Sequence, residues 1–335
     1  LNIMSIKHKI LILVLILIAS QVHAQLIPNL GGQRTGTSSL QFLKIGADAR
    51  ATGMGEAFVA VSDDFSALQY NPAGLVLNKD NGLSFTHTAW FADSRIEHLG
   101  GVYHFGGNNA VGLSVTSFRT EDMKVTTEFQ PNGTGNYFRF SDLAVGLSYA
   151  RQFTDQFSFG VTVRYVEETM GELKMRTVLG DLATFYKTGL GTTRFAVVIA
   201  NFGAQVSPSG SVDLIGGRTA SEFQKFPPPT LFKIGFAFEP WMNQNNRVTT
   251  SIQLNSPNDN KEYINVGAEY SYKEMVTIRG GYKFNVDAEN FSVGAGIKVP
   301  ISFAKVGVNY SLANFGDWGY MHRFSVALTL PEKNK

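Results

Sequence analysis

The sequence predicts an all-β fold: a transmembrane antiparallel β-barrel of about 14 strands with an N-terminal plug or hatch segment. Three observations lead there. The chain opens with an export signal and then has no apolar run long enough for a spanning helix. From Gly82 onward, long segments alternate bulky apolar residues with small or polar ones. The linkers between those segments are short at every second position.

The export signal comes first in the chain. Met4 is read as the start, Lys7 and Lys9 as the positive region, and Ile10–Ile18 as an unbroken apolar stretch. Val22-His23-Ala24 then offers a cleavage site before Gln25. The apolar stretch is about half of the roughly 20 residues that a spanning helix needs. Residues 1–24 are therefore expected to be a removed signal peptide. Beyond it no apolar run exceeds the six residues Phe195–Ala200. An exported chain that spans a membrane without helices has to be a closed barrel, which alone satisfies its backbone hydrogen bonds in lipid.

Composition agrees. Among 335 residues there are 34 Gly, 26 Phe and 12 Tyr, with 17% charged residues, and the mean hydropathy is close to zero. A wall whose lipid-facing and lumen-facing residues alternate averages out in this way. The net charge is +2 and there is no cysteine. Disulfides and thiolate chemistry are thus excluded. No clustered basic excess marks a nucleic-acid surface.

After a Gly-, Pro- and Gln-containing segment expected to be flexible (25–36), the stretch Thr37–Asn78 differs from everything behind it. It carries a short helix signal at Ser39–Ile45, small residues and glycines, a polar break at Asp63-Asp64, and a turn at Asn71-Pro72-Ala73-Gly74. Residues 37–80 are read as a plug, 81–331 as the barrel and 332–335 as a polar tail.

The barrel strands are expected near 82–91, 95–106, 109–120, 136–151, 156–170, 176–188, 191–203, 229–240, 246–256, 261–273, 275–285, 289–300, 302–313 and 319–330. In one of them Phe157, Phe159, Val161, Val163 and Tyr165 share a face, while Ser158, Gly160, Thr162 and Arg164 share the other. Many of these segments match a tilted membrane strand in length and exceed the ordinary five or six residues of a soluble sheet. A soluble sandwich also alternates, but its strands are shorter. The long linkers Glu121–Gly135 and Ala204–Pro228 fall at the same barrel end under this count. Outer-membrane barrels put short turns in the periplasm and long loops outside.

By parity Arg164, Lys233, Arg279, Lys283, Lys298, Lys305 and Arg323 point inward, with Asp142, Glu168, Asp181, Glu239 and Glu269. The lumen wall is then net basic and residues 37–80 net acidic, which predicts ion pairs between plug and wall. A basic lumen that selects an anionic solute is the functional alternative.

No catalytic constellation emerges. His87, His98, His104 and His322 are scattered among strands, and nucleophile-elbow, Walker and dinucleotide fingerprints are missing. Asp63-Asp64 fits a calcium ligand pair or, better, a turn or helix cap. No cofactor or metal is expected.

The plug carries a resemblance. Phe42-Leu43-Lys44-Ile45-Gly46, Ala49-Arg50, Met54 to Val61, Asp63-Asp64 and Asn71-Pro72-Ala73-Gly74 resemble the N-terminal signature of the PorV/PorQ family, related to FadL-type barrels. The Asn-Pro-Ala-Gly turn places the likeness nearer PorV. The resemblance implies a fourteen-stranded bacterial outer-membrane barrel of Bacteroidetes type, embedded in outer-membrane lipid. It also implies a role in type IX secretion, in which a member binds substrates leaving the translocon. Such a role requires apolar residues in the outer loops, and Phe129, Tyr137, Phe138, Leu214, Ile215, Phe223 and Phe226 meet it. The second function carried forward is a FadL-like channel for small hydrophobic ligands. Phe58, Val59, Phe65, Leu68 and Tyr70 would line its pocket or, alternatively, form the plug core.

Overall fold

The computed structural model describes residues 34–214 and 218–330. The expected signal peptide, residues 25–33, Ile215 and the tail 332–335 lie outside the described residues.

Fourteen antiparallel strands close into a barrel. In chain order they are β1 (Asn81–Ala89), β2 (Arg95–Phe105), β3 (Asn109–Arg119), β4 (Phe140–Gln152), β5 (Phe157–Met170), β6 (Leu173–Lys187) and β7 (Arg194–Gly203). Then follow β8 (Leu231–Met242), β9 (Asn246–Pro257), β10 (Tyr263–Tyr272), β11 (Val276–Phe284), β12 (Phe291–Ile301), β13 (Ala304–Asn314) and β14 (Tyr320–Leu330). Every strand pairs with its sequence neighbour, and β1 closes the wall on β14 from Asn81↔Leu330 to Ala89↔His322. Closure leaves no edge to satisfy.

The alternation read from sequence is the alternation of faces. Leu83, Leu113, Leu147, Val163 and Ile297 are exposed on the outside, with Leu147 at 62%. Thr86, Ser148, Thr162, Gln253 and Ser325 are buried on the inside. An apolar exterior this extensive is a surface solvated by hydrocarbon and not by water.

Connections after even-numbered strands are short, as at 106–108, 243–245 and 302–303. The long ones, 120–139 and 204–230, both follow odd-numbered strands and share the opposite end. The expected strand 136–151 starts later, at Phe140, because Tyr137–Phe138 leaves the wall and pairs with Met123–Lys124 in a small separate hairpin. A second hairpin, Val212–Leu214 with Arg218–Ala220, decorates the other long loop.

Residues 38–80 pack against the inward face of the wall. The segment folds into single turns, Gln41–Lys44, Ala49–Gly53, Ala67–Tyr70 and Pro72–Val76, none long enough to be stable alone. Its first turn bonds to the long-loop end, where the Ser39 amide donates to the Pro227 carbonyl at 3.1 Å. Its last turn reaches the short-turn end, where His104 Nε2 lies 2.7 Å from the Leu75 carbonyl oxygen. The chain thus runs the length of the lumen before entering β1.

Candidate functional site

The interior of the barrel is the candidate site, and its chemistry is the seam between residues 38–80 and the wall. At the long-loop end the Asp259 carboxylate, in the loop after β9, gathers three donors. Lys44 Nζ lies 2.9 Å from it, Gln41 Nε2 donates at 2.9 Å, and Ser38 Oγ adds a third bond. Burial alone would raise this carboxyl, but the bonds from Ser38, Lys44 and Gln41 hold it below the ordinary range.

Midway down, Asp48 caps the turn Ala49–Gly53 by accepting from the Ala51 amide at 2.9 Å. Burial, together with the charge of Asp64, pushes the Asp48 carboxyl up to about 6 from its ordinary 3.8. Arg50 is the hub. Its Nε and Nη2 clamp Glu269 of β10 at 3.0 Å each, and its Nη1 donates to Asp63 and Asp64 at 2.6 Å. Arg279 of β11 donates to the same Glu269 from the other side, at 2.5 Å. Glu269 is 2% exposed. A buried carboxylate held by two guanidinium groups forms a strong, geometry-specific junction.

From this hub back toward the long-loop end, backbone meets backbone. A Cβ placed on Gly281 of β11 would lie 2.1 Å from the Gly55 nitrogen. Glycine is needed there because two chains approach without side chains between them. The Gly55 amide donates to Ser292 Oγ at 3.0 Å, and Phe58 and Val59 amides both donate to Gln253 Oε1 at 3.0 Å. Glu56 pairs with Lys283 at 2.7 Å.

The Asn71-Pro72-Ala73-Gly74 turn has a local logic. Asn71 Oδ1 accepts from the Ala73 amide at 3.0 Å while Nδ2 donates to the Val59 carbonyl at 2.7 Å. Pro72 starts the following turn where no backbone donor is needed. A Cβ on Gly74 would sit 1.9 Å from the Ser62 carbonyl oxygen. Each residue of the motif therefore seats the segment. Asp64 Oδ1 accepts from the Ser66 amide at 3.0 Å, so it acts as a turn cap as well as an Arg50 partner. Among the described residues no group of three or more His, Asp or Glu converges as a metal site would require.

The inward charges read by parity have different surroundings. Arg164 pairs with Asp181 at 2.9 Å and donates to Asn201 Oδ1 at 2.6 Å. Arg323, 1% exposed, donates to the Gly46 carbonyl at 2.9 Å and lies over the Trp90 ring. Lys233 lies over the Tyr70 ring. Lys298 lines the short-turn end, without an ion-pair partner among the described residues. The pairs across the seam do not simply match an acidic segment to a basic wall. Lys44 and Arg50 of the segment reach wall acids, and Glu56 reaches a wall base. Asp259 and Gln253 were missed by sequence reading. Gln253 lies on the polar face of its strand, but Asp259 sits in a loop, where parity is silent.

Phe58, Phe65, Leu68 and Tyr70 are all buried but do not share one pocket. Phe58 and Tyr70 pack edge-on with centroids 5.4 Å apart, against small wall residues such as Ala183 and Ala196. Phe65 and Leu68 belong to another cluster, with Val102 and Ala110. A cavity of about 390 Å³ opens at the short-turn end and is lined by Asp63, Asp64, Glu269, Arg279, Lys298 and Lys305. Of the loop residues, Phe129 is 92% exposed and Tyr137 is exposed, while Phe223 and Phe226 are half-buried. Phe226 forms a backbone bridge to Val206.

A closed fourteen-stranded barrel with an apolar exterior and a filled lumen defines the class: an outer-membrane-type β-barrel. Its fold is that of several solved channels. The monoaromatic hydrocarbon channel CymD is similar with a TM-score of 0.58 at 15% identity, over 86% of this chain and 98% of that one. The Ralstonia pickettii toluene transporter TbuX gives 0.54 at 15% identity, over 85% and 97%. A Pseudomonas aeruginosa FadL homologue gives 0.53 at 12% identity, over 85% and 98%. Comparison with curated proteins gives no match. The family model of the type IX secretion system protein PorV matches residues 29–257, and the chain belongs to that family. It is a family of secretion components and not of enzymes.

Proposed function

We propose that the protein is a non-enzymatic accessory of a type IX-like secretion system, seated in the outer membrane after removal of residues 1–24. It binds secreted proteins or the translocon through the loops at its long-loop end, which faces outward. The observation that carries this reading is the bonding of residues 38–80 to the wall from one end of the lumen to the other, through Asp259, Glu269, Gln253 and Lys283. A lumen filled in this way favours a docking platform over a conduit. The exposed Phe129 and Tyr137 supply apolar contact area of the kind partner surfaces use. Phe223 and Phe226 lie on the second long loop, which emerges at the same end of the barrel.

The test is recovery of the tagged protein from membranes with identification of what comes with it. Translocon or secreted proteins are expected, and their loss from a Phe129→Asp, Tyr137→Ser variant. Recovery of neither class from the wild type would overturn the proposal.

A second reading is uptake of small hydrophobic molecules, favoured by the likeness in fold to channels whose names state such cargo. The charged lining of the 390 Å³ cavity argues against an apolar ligand there. Accumulation of labelled toluene in cells carrying the protein, above that of cells without it, would establish this reading instead.

A further inference from the structure

A second, smaller cavity of about 30 Å³ lies between the segment and the wall, apart from the one at the short-turn end. Phe42, Leu68 and Gln69 close it from the segment side, and His98, Arg164 and Lys233 face it from the wall. Its charged groups, Arg164 and Lys233, are both cationic donors, set beside the hydroxyls of Ser114 and Thr116 and the Asn201 amide, and no carboxylate among the described residues lines it. Gln69 is already spent, with Oε1 accepting from the Ala47 amide and Nε2 donating to the Ile45 carbonyl. Arg164 has one carboxylate partner, Asp181. Lys233 has no hydrogen-bond or ion-pair partner among the described residues, and the Tyr70 ring 5.7 Å away is its nearest compensation. The acids that act on it are Glu56 and Asp181. Both are engaged already, Glu56 by Lys283 and Asp181 by Arg164. His98 is 5% exposed, and its Nε2 has no partner. Its Nδ1 lies 2.8 Å from Thr116 Oγ1. When Thr116 donates to Nδ1, the ring proton sits on Nε2 and becomes one more donor.

We propose that this cavity is a buried site for one small monatomic anion, chloride in the cell. Lys233 is half-buried with its ammonium drawn between segment and wall, where a cation is costly without a counter-charge. Among the described residues no acid pairs with it. The volume suits a single occupant, because about 10–15 Å³ of such space already holds one water. A carboxylate or phosphate is too large. The ion would tie the turn Ala67–Tyr70 and Phe42 to the wall strands that carry Lys233 and His98. Halide would then belong to what seats the segment in the lumen.

The experiment replaces chloride by bromide during crystallisation of the full chain in detergent and records anomalous scattering at the bromine edge. A peak in contact with Lys233 is expected. Thermal unfolding followed by circular dichroism is the second readout: Tm is expected to be higher in chloride than in gluconate at equal ionic strength. In Lys233→Gln, which keeps the volume and removes the charge, both the peak and the chloride effect should be lost. Density without anomalous signal, meaning water, overturns the proposal. So does a bromide peak or a chloride effect that persists in Lys233→Gln. Should that variant not fold, the bromide peak in the wild type decides alone.

Discussion

The wall and the segment it encloses are built on opposite rules. The wall repeats one pattern fourteen times, and any of its outward residues, such as Leu113 or Val163, meets the same solvent as the next. Its stability is spread over backbone ladders and lipid contact, so no single side chain is indispensable. The segment 38–80 repeats nothing. It has four single turns, and it is held by a few specific junctions: Arg50 with Glu269, Glu56 with Lys283, Gln253 with two amides. One region tolerates change because it is redundant, and the other is specific because it is not.

Removing the segment should separate the two most completely. A chain lacking residues 37–78 is expected to insert and to conduct ions across a planar bilayer, whereas the full chain does not. A deleted barrel that stays closed would show that the wall seals itself.

Next in size is the hub. Glu269→Gln leaves Arg50 and Arg279 facing each other with their shared counter-charge gone. Breaking a buried ion pair costs about 3–5 kcal/mol. The expected readout is a lower urea midpoint in detergent together with intermittent conductance.

A smaller effect contrasts the two faces of one strand. Gly280 and Gly281 are neighbours, but an added Cβ at Gly280 meets nothing within 4 Å, whereas at Gly281 it meets the Gly55 backbone. Gly281→Ala should destabilise by about 1–3 kcal/mol, the usual cost of overpacking. Gly280→Ala should leave the urea midpoint unchanged. Equal effects would mean that the segment is not seated against β11.

The smallest effect depends on pH. The Asp48 carboxyl, raised from 3.8 to about 6, contributes stability that is fully present below 3.8 and lost as pH rises through about 6. Asp48→Asn keeps the cap on Ala51 and removes the titration. Its stability relative to the wild type should therefore grow across that window and level off above it, as read from urea midpoints at a series of pH values.

Much of this was legible beforehand. The fourteen strands, the end at which both long loops emerge and the inward face of Arg164, Glu269 and Arg323 followed from period-two alternation, because a strand's side chains can take only two directions. The Asn71–Gly74 turn was recognisable because its start is local chemistry, with Asn71 Oδ1 answering the Ala73 amide two residues on; that Asn71 also reaches the Val59 carbonyl, twelve residues back, was not legible. What parity could not supply is depth. It places Lys298 and Glu269 on the same face but does not say that one lies at the rim and the other at the junction with Arg50. Balancing net charges misses the same thing, since two of the three cross-seam pairs run from a basic segment residue to an acidic wall residue.

The sequence by itself determined the class of fold, the strand count and the stretch that would not join the wall. These rest on short-range rules: pleat, turn chemistry and the requirement that every backbone group in lipid be paired. The tertiary structure decided which residues meet across the lumen. Arg50 reaches Glu269 across 219 positions of sequence and Gly281 faces Gly55 because barrel closure and strand stagger bring them to one level. That level is a property of the whole closed wall, and no local pattern encodes it.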